Sequence, residues 1–254
     1  MGVVRGTPVV ARGASVTTRL SDQVLVARGL ALSTGQGPVF GPVDFELPPR
    51  RHAAILGEQG SGRSALLLAL SGRMQGVTGE LRLGRVDGIA HPRALRRLTA
   101  VARISDLVEL EPNLTVAESI DEHALAEGLG VGRGRRVYRE LAEHVGLDLH
   151  PTSSVGDLPA HLRTVFALVL ASQRPSRFIV ADDIDESLTR EQLLDVHRVL
   201  ELLGERCHHV VMSALASSPV QPGAATLVLP TPEPNAGLAL RFGHLRPRRI
   251  LKES

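Results

Sequence analysis

"HAAILGEQGSGRSALLLALSG" (residues 52–72) predicts the fold class of this chain. The apolar run before its glycines is typical of a short buried strand, and the apolar run after them is typical of a helix. Between a strand and a helix, the spacing G-x-x-x-x-G-[KR]-S predicts a loop whose amides converge on phosphate oxygens at the positive end of the helix. The alternative interpretation is a glycine-rich turn that binds nothing. Arg63 stands where such loops carry lysine.

The composition limits the classes of function. The chain has 254 residues, 43% of them hydrophobic, which is enough for one large core or for a core with an inserted lobe. A formal net charge of only +2 gives no field of the size that nucleic acid requires, so we expect no nucleic-acid partner. Cys207 is the single cysteine, which predicts a reducing, cytoplasmic location. No apolar run approaches the roughly 18 residues of a membrane-spanning helix.

The chain divides into an arm, a folded region and a tail. We expect residues 1–21 to form a flexible arm, residues 22–230 to fold, and residues 231–254 to form a basic tail. Short strand patterns include "VDFEL", "TGELRLG", "RFIVADD" and "HHVVMSAL". From about residue 107 to residue 174 the pattern is helical, which predicts an inserted helical subdomain. The tail contains Arg241, Arg246, Arg248, Arg249 and Lys252. It is either a solvated tail or one that contacts anionic lipid or nucleic acid.

Four further segments occur in a recognisable order. "TGELRLG" and "EPNLTV" are followed by "DLPAHLRTVFALVLASQRPSR" and then by "FIVADD", a hydrophobic strand that ends in two acids. Together with the glycine loop, over about residues 22–230, they resemble the ATP-binding cassette of ABC transporters. The resemblance implies an α/β fold: a P-loop NTPase cassette with a RecA-like mixed sheet core and an inserted helical subdomain. It also implies a place at the inner face of the cell membrane, against a membrane-embedded transporter subunit. A homodimer or a second cassette subunit would complete the complex.

The resemblance also implies the site residues. Asp183 occupies the position of the family's catalytic glutamate and is expected to be a weak replacement for that general base. Ser64 and Asp182 are expected to hold Mg²⁺. The expected contacts to ATP are Gly57, Gln59, Gly60, Ser61, Gly62, Arg63, Ser64 and Ala65.

Several positions depart from the family pattern. A guanidinium at Arg63 is not equivalent to a lysine ammonium. The shorter side chain of Asp183 withdraws the carboxylate by roughly 1.5 Å, a displacement of the size that can cost about 10²-fold in rate. The remaining positions align with an adenine-stacking aromatic, a glutamine, an aspartate and a sensor histidine of the family; they are Thr34, Asp106, Thr189 and Ala214.

The family's signature pentapeptide departs most. In the family, its serine hydroxyl and glycine amides bind the γ-phosphate held by the opposite subunit. Here the segment is Leu158, Pro159, Ala160, His161, Leu162. Pro159 has no amide hydrogen, and Cβ atoms at the next two positions obstruct a close approach. The segment predicts a helix start followed by an apolar stripe. His161 is either a packing histidine or a replacement phosphate donor.

The pattern supports three hypotheses. The first is an ATP-binding subunit of an ABC-type membrane transporter with weak or lost hydrolysis, kept for a structural or regulatory role. The second is a slow but genuine transport ATPase. The third is an interaction scaffold that binds no nucleotide.

Overall fold

The computed structural model describes residues 24–48, 51–204, 209–220 and 223–230. The predicted arm, the predicted basic tail and Cys207 lie outside the described residues. Two sheets and six helices make up the described part. Within it, no helix combines the length and the hydrophobicity that crossing a bilayer requires.

The central sheet is parallel and has five strands. They are β3 (Arg51–Gly57), β6 (Thr99–Arg103), β7 (Phe178–Ala181), β8 (His209–Leu215) and β9 (Ala225–Val228). Their order across the sheet is β6-β7-β8-β3-β9, and every neighbouring pair is parallel. All four residues of β7 are buried, as expected of a strand covered on both faces. Because the carboxyl ends of parallel strands share one edge, the loop after β3 and the acids after β7 meet there, with the end of β8 between them.

The second sheet is antiparallel. It contains β1 (Leu25–Thr34), β2 (Gly37–Leu47), β4 (Thr78–Leu83) and β5 (Val86–Asp87), in the order β2-β1-β4-β5. β1 and β2 form a hairpin in which Thr34 pairs with Gly37. The predicted strand "VDFEL" is the second half of β2, so the sequence interpretation was too short at this element.

Six helices surround and extend the central sheet. They are α1 (Arg63–Leu70), α2 (Pro92–Leu98), α3 (Val116–Ala126), α4 (Val131–Val145), α5 (Ala160–Ala171) and α6 (Arg190–Gly204). α1 ends at Leu70, after which Ser71 donates its N–H to the Leu67 carbonyl and Gly72 takes a left-handed φ of 71°. β9 was not predicted, because its burial pattern is almost entirely exposed and its sequence carries no clear alternation.

The core forms two layers and a smaller cluster. One layer packs α1 between the antiparallel sheet and one face of the central sheet, where Ile55 and Val180 are buried. The other layer packs α5 and α6 on the opposite face, where Ile179 and Met212 are buried. Adjacent residues of β7 therefore enter different layers, as the two-residue period of a strand requires. A third cluster, centred on Phe166, joins α3 to α5.

Candidate nucleotide-binding site

The glycine loop connects β3 directly to α1. Gly62, the residue before the helix, has a φ of 86°, which favours glycine. A Cβ at Gly62 would lie 2.2 Å from the carbonyl oxygen of Val39, so the loop is held tightly against β2. At Gly57 a Cβ would lie 2.3 Å from Ser61 Oγ. The glycines that predicted a phosphate loop therefore also permit its close packing.

The loop presents polar groups that have no partner in the described chain. Ser61 is 1% exposed, and its hydroxyl makes no hydrogen bond to the described residues. The first hydrogen bond of α1 runs from the Leu66 N–H to the Gly62 carbonyl at 2.9 Å. No acceptor in the described part of the chain pairs with the backbone N–H groups of Arg63, Ser64 and Ala65. Free amides at a helix N-terminus beside an orphaned hydroxyl fit a bound phosphate group.

Arg63 points its charge at a carboxylate of the same chain. The Arg63 side chain is 8% exposed, and its Nη1 lies 2.9 Å from Asp183 Oδ1. The approach is at ion-pair distance without the directional geometry of a hydrogen bond. Ser105 donates its hydroxyl to the other oxygen, Asp183 Oδ2, at 2.9 Å. Both oxygens of Asp183 are therefore engaged.

The first acid, Asp182, is more deeply buried. It is 1% exposed, and its Oδ1 accepts a hydrogen bond from the Ser213 hydroxyl. Its Oδ2 is buried and has no partner in the described residues. Ser64 lies half-buried in the first turn of α1 and makes no hydrogen bond to Asp182. An orphaned carboxylate oxygen and a hydroxyl are the ligands that Mg²⁺ prefers, with water and phosphate completing its shell. No group of three or more His, Cys, Asp or Glu side chains within the described ranges is arranged for a metal ion.

Asp183 adopts a strained backbone. Its φ of 43° is unusual for a residue with a Cβ, and its N–H donates to Ser213 Oγ at 2.9 Å. Burial and the neighbouring charge of Asp182 raise the pKa of the Asp183 carboxyl, although Ser105 and Arg63 act in the opposite direction. Ser213 therefore holds both acids, one through its hydroxyl and one through its acceptor oxygen.

Arg103 joins two loops beside the acids. Its Nη2 lies 3.3 Å from Glu109 Oε1 and also contacts Glu186, while its Nη1 donates to the carbonyl of Asp183 at 3.5 Å. The sequence interpretation missed Arg103, Ser105 and Ser213. Their only signal was that each lies within one to three residues of a position already aligned with the family.

Asp106, which aligns with the family's glutamine, lies in a turn close to the acids. It has a φ of 63° and lies in the turn between Ile104 and Val108, where the Leu107 N–H donates to the Ile104 carbonyl. Its neighbour Ser105, one residue earlier, is the residue that reaches Asp183. The alignment thus identified the correct loop, but the side chain that faces the acid is a different one.

The signature segment begins a helix, as predicted. Pro159 is the N-cap residue of α5, and the helix starts at Ala160. Gln192 Nε2 donates to His161 Nδ1 at 3.1 Å, so His161 contacts the first turn of α6. The predicted apolar stripe is buried at Val165, Phe166, Val169 and Leu170. This segment retains its packing, and none of its side chains has a buried polar atom without a partner, in contrast to Ser61 of the glycine loop.

The other aligned positions also have local roles. Thr34 Oγ1 accepts from the Gln36 N–H at 3.3 Å and donates to the Gly37 carbonyl at 3.4 Å, so it stabilises the hairpin turn. Ala214 is a buried methyl group at the end of β8. Thr189 and Gln192 exchange hydrogen bonds ahead of α6, since each backbone N–H donates to the other side chain. The structure therefore brings the glycine loop and both acids together and leaves these positions with local contacts.

Comparison with known proteins agrees with this arrangement. The family model described as "ABC transporter" matches residues 40–185. A ribose import ATP-binding protein, RbsA 1, of Rubrobacter xylanophilus is 32% identical over 64% of this chain, and one of Rhizobium etli is 31% identical over 72%. These matches cover 33% and 37% of the relatives, so the chain spans about a third of their length.

The solved structures show the same fold. CbiO1 from Clostridium perfringens, part of the ABC transporter complex cbiONQ, has a TM-score of 0.63 at 14% identity, over 75% of this chain and 77% of that one. At this identity the likeness concerns the fold alone. The family match, the glycine loop after β3 and the paired acids after β7 together lead to one conclusion. The chain belongs to the ABC transporter family and is an ATP-binding cassette.

Proposed function

We propose that this chain is the nucleotide-binding subunit of a membrane transporter in which ATP is bound but its hydrolysis is weak or lost. The observation that carries this proposal is the state of Asp183, whose two carboxylate oxygens contact Arg63 and Ser105 at 2.9 Å each. A general base needs a lone pair that points at the attacking water, within hydrogen-bond reach. The contacts with Arg63 and Ser105 hold the Asp183 carboxylate in place and leave fewer of its lone pairs available to such a water.

The groups that would bind nucleotide are better preserved than the groups that would cleave it. Open amides at the start of α1, the buried Ser61 hydroxyl and the Arg63 guanidinium are suited to phosphate oxygens. Ser64 and Asp182 would hold Mg²⁺, which supplies charge neutralisation of the phosphates when bound. ATP binding with little turnover follows from this imbalance.

The opposite half of the site supports the same proposal. In a cassette dimer, the signature segment of one subunit would face the nucleotide of the other. Here that segment offers Pro159, which has no N–H, and the Cβ atoms of Ala160 and His161, which obstruct a close approach of the backbone. At the sensor position Ala214 presents only a buried methyl group. A nucleotide held by a copy of this chain or by an intact partner cassette would therefore be approached less closely by the donors of this surface than by a segment of serine and glycine.

The transport context is proposed from the relatives. The matched proteins from Rubrobacter xylanophilus and Rhizobium etli are named ribose import ATP-binding proteins. We place this chain with an import system for sugars, bound at the inner face of the membrane to a membrane-embedded subunit. A structural or regulatory role suits a cassette that binds nucleotide and turns it over slowly.

The test compares binding with turnover in the same preparation. We expect saturable ATP binding by calorimetry, and phosphate release that does not exceed the release by an Asp182→Ala variant. Phosphate release is also measured for the Asp183→Glu variant, which restores the missing methylene. Asp185→Glu, in the same loop, is its matched control.

Two other results would contradict the proposal. Magnesium-dependent turnover that is abolished by Asp182→Ala would make the chain a slow but genuine ATPase, a reading that the orphaned Asp182 Oδ2 favours. The absence of saturable ATP binding at millimolar concentration would make it an interaction scaffold.

A further inference from the structure

The hairpin of β1 and β2 forms the wall beside the glycine loop. A Cβ at Gly62 would lie 2.2 Å from the Val39 carbonyl oxygen and 2.9 Å from Phe40 Cβ, which places the start of β2 against the first turn of α1. The hairpin tip, "STGQGP" (residues 33–38), directly precedes Val39 along the chain. A nucleoside attached to phosphates in the loop would extend past this region.

The hairpin tip offers no flat side chain to a base. Its residues are small, polar or glycine, apart from Pro38. The Thr34 hydroxyl bonds to the Gln36 N–H and the Gly37 carbonyl within the turn. The Thr34 side chain therefore stabilises the turn, and the tip lacks the π surface on which a base stacks.

No other aromatic ring in the described ranges is available to replace it. Phe40, Phe166 and Phe178 are at most 3% exposed. Phe45 packs half-buried against the core, and Tyr138 packs edge-on against Phe166 with ring centroids 5.8 Å apart. Phe242 lies outside the described residues. Each described ring is thus committed to packing.

The phosphate side of the same site is, in contrast, polar and unpaired. The Ser61 hydroxyl is 1% exposed without a partner, and the amides of Arg63, Ser64 and Ala65 have no acceptor in the described part of the chain. These groups recognise phosphate oxygens and not the base. The free energy of binding therefore comes from one end of the ligand.

We propose that this site selects the polyphosphate and not the base, so that ATP, GTP, CTP and inorganic tripolyphosphate bind with comparable affinity. The inference rests on the proposed nucleotide binding and deepens it by naming the ligand class as magnesium polyphosphates. Thr34 is its specificity-determining position, because it is an exposed residue of the hairpin tip and carries no ring.

The experiment is an equilibrium titration of the full chain with the magnesium complexes of ATP, GTP, CTP and tripolyphosphate, and with adenosine. The four polyphosphates are expected to agree within about threefold, and adenosine to show no binding. Thr34→Tyr is expected to tighten ATP binding by about fivefold or more, the size of one base stack, and to leave tripolyphosphate unchanged. Ser33→Tyr, which puts the ring on the other face of the strand, is the matched control.

The outcomes separate the two proposals. ATP binding more than tenfold tighter than both CTP and tripolyphosphate would overturn base indifference and leave nucleotide binding standing. Saturable binding of none of the five compounds would overturn the proposed function, and the inference with it. The inference would be established by equal affinities for all four polyphosphates, together with a gain in ATP affinity in the Thr34→Tyr variant and no gain in the Ser33→Tyr variant.

Discussion

The glycine loop and the signature segment differ in what they retain. At the glycine loop, Ser61 and Asp182 are buried with polar atoms that lack partners in the described chain. At the signature segment, His161 Nδ1 accepts a hydrogen bond from Gln192, and no buried side-chain polar atom of residues 158–162 lacks a partner. Both segments begin a helix at the place that the sequence predicts. The packing of a helix start and the presence of unpaired polar side-chain atoms are therefore separate properties, because they depend on different atoms of the same residues.

Helix α5 shows why the signature segment keeps its position. Val165, Leu168 and Val169 enter the layer shared with α6, while Phe166 and Leu170 enter the cluster shared with α3. The helix is therefore buried on two sides. Fully burying a side chain of this size contributes about 1.5–3 kcal/mol. These contacts do not involve the pentapeptide's amides, so they hold the helix in place whether or not those amides serve a ligand.

The largest expected effect tests this packing role. Phe166→Ala should lower the free energy of unfolding by about 3–5 kcal/mol, because it opens a cavity between α3 and α5. Leu125→Ala, at a 62% exposed position of α3, is the matched control and should change it by less than about 0.5 kcal/mol. Urea unfolding gives both values. If the two substitutions cost the same, packing does not explain why this helix is kept.

An intermediate effect tests the glycine loop. Gly62→Ala and Gly60→Ala both place a Cβ on a residue with a left-handed φ, 86° and 81°, which costs about 1–2 kcal/mol in either case. Only at Gly62 does the Cβ also collide with the Val39 carbonyl; at Gly60 nothing lies within 4 Å. Gly62→Ala should therefore be less stable than Gly60→Ala by at least about 1 kcal/mol and should bind tripolyphosphate more weakly. Equal stability and affinity for the two variants would mean that the contact with β2 does not shape the loop.

The smallest expected effect concerns the ion pair inside the loop. The Asp183 carboxylate occupies Arg63 as a phosphate oxygen would, so Asp183→Asn should free the guanidinium for an external anion. With Asp183 about one quarter exposed, solvent screening limits the gain to about 1 kcal/mol, or roughly fivefold in affinity.

The measurement is tripolyphosphate binding without magnesium, which removes any contribution from turnover. Asp183→Asn in an Arg63→Ala background is the control, and it should give no gain in tripolyphosphate affinity. A gain of equal size in that background would show that Asp183 repels the anion directly and does not compete for Arg63.

The sequence predicted the elements and misjudged several contacts. It placed the strand before Gly57, the helix after Gly62 and the strand before Asp182, because strong local periodicity reports local structure. It missed β9 and the first half of β2, where burial does not alternate in a recognisable way. It also missed Ser213, whose importance depends on β8 lying between β7 and β3.

The amino-acid sequence was sufficient to predict the family, the glycine loop and the two acids that lie beside it, because glycine spacing and apolar runs are properties of neighbouring residues. The tertiary structure alone decided that Arg63 meets Asp183, that Ser105 and not Asp106 reaches the same carboxylate, and that every described aromatic ring is committed to packing. The physical reason is distance along the chain. An ion pair or a buried ring depends on which strand ends come together across the sheet, and no local pattern records that.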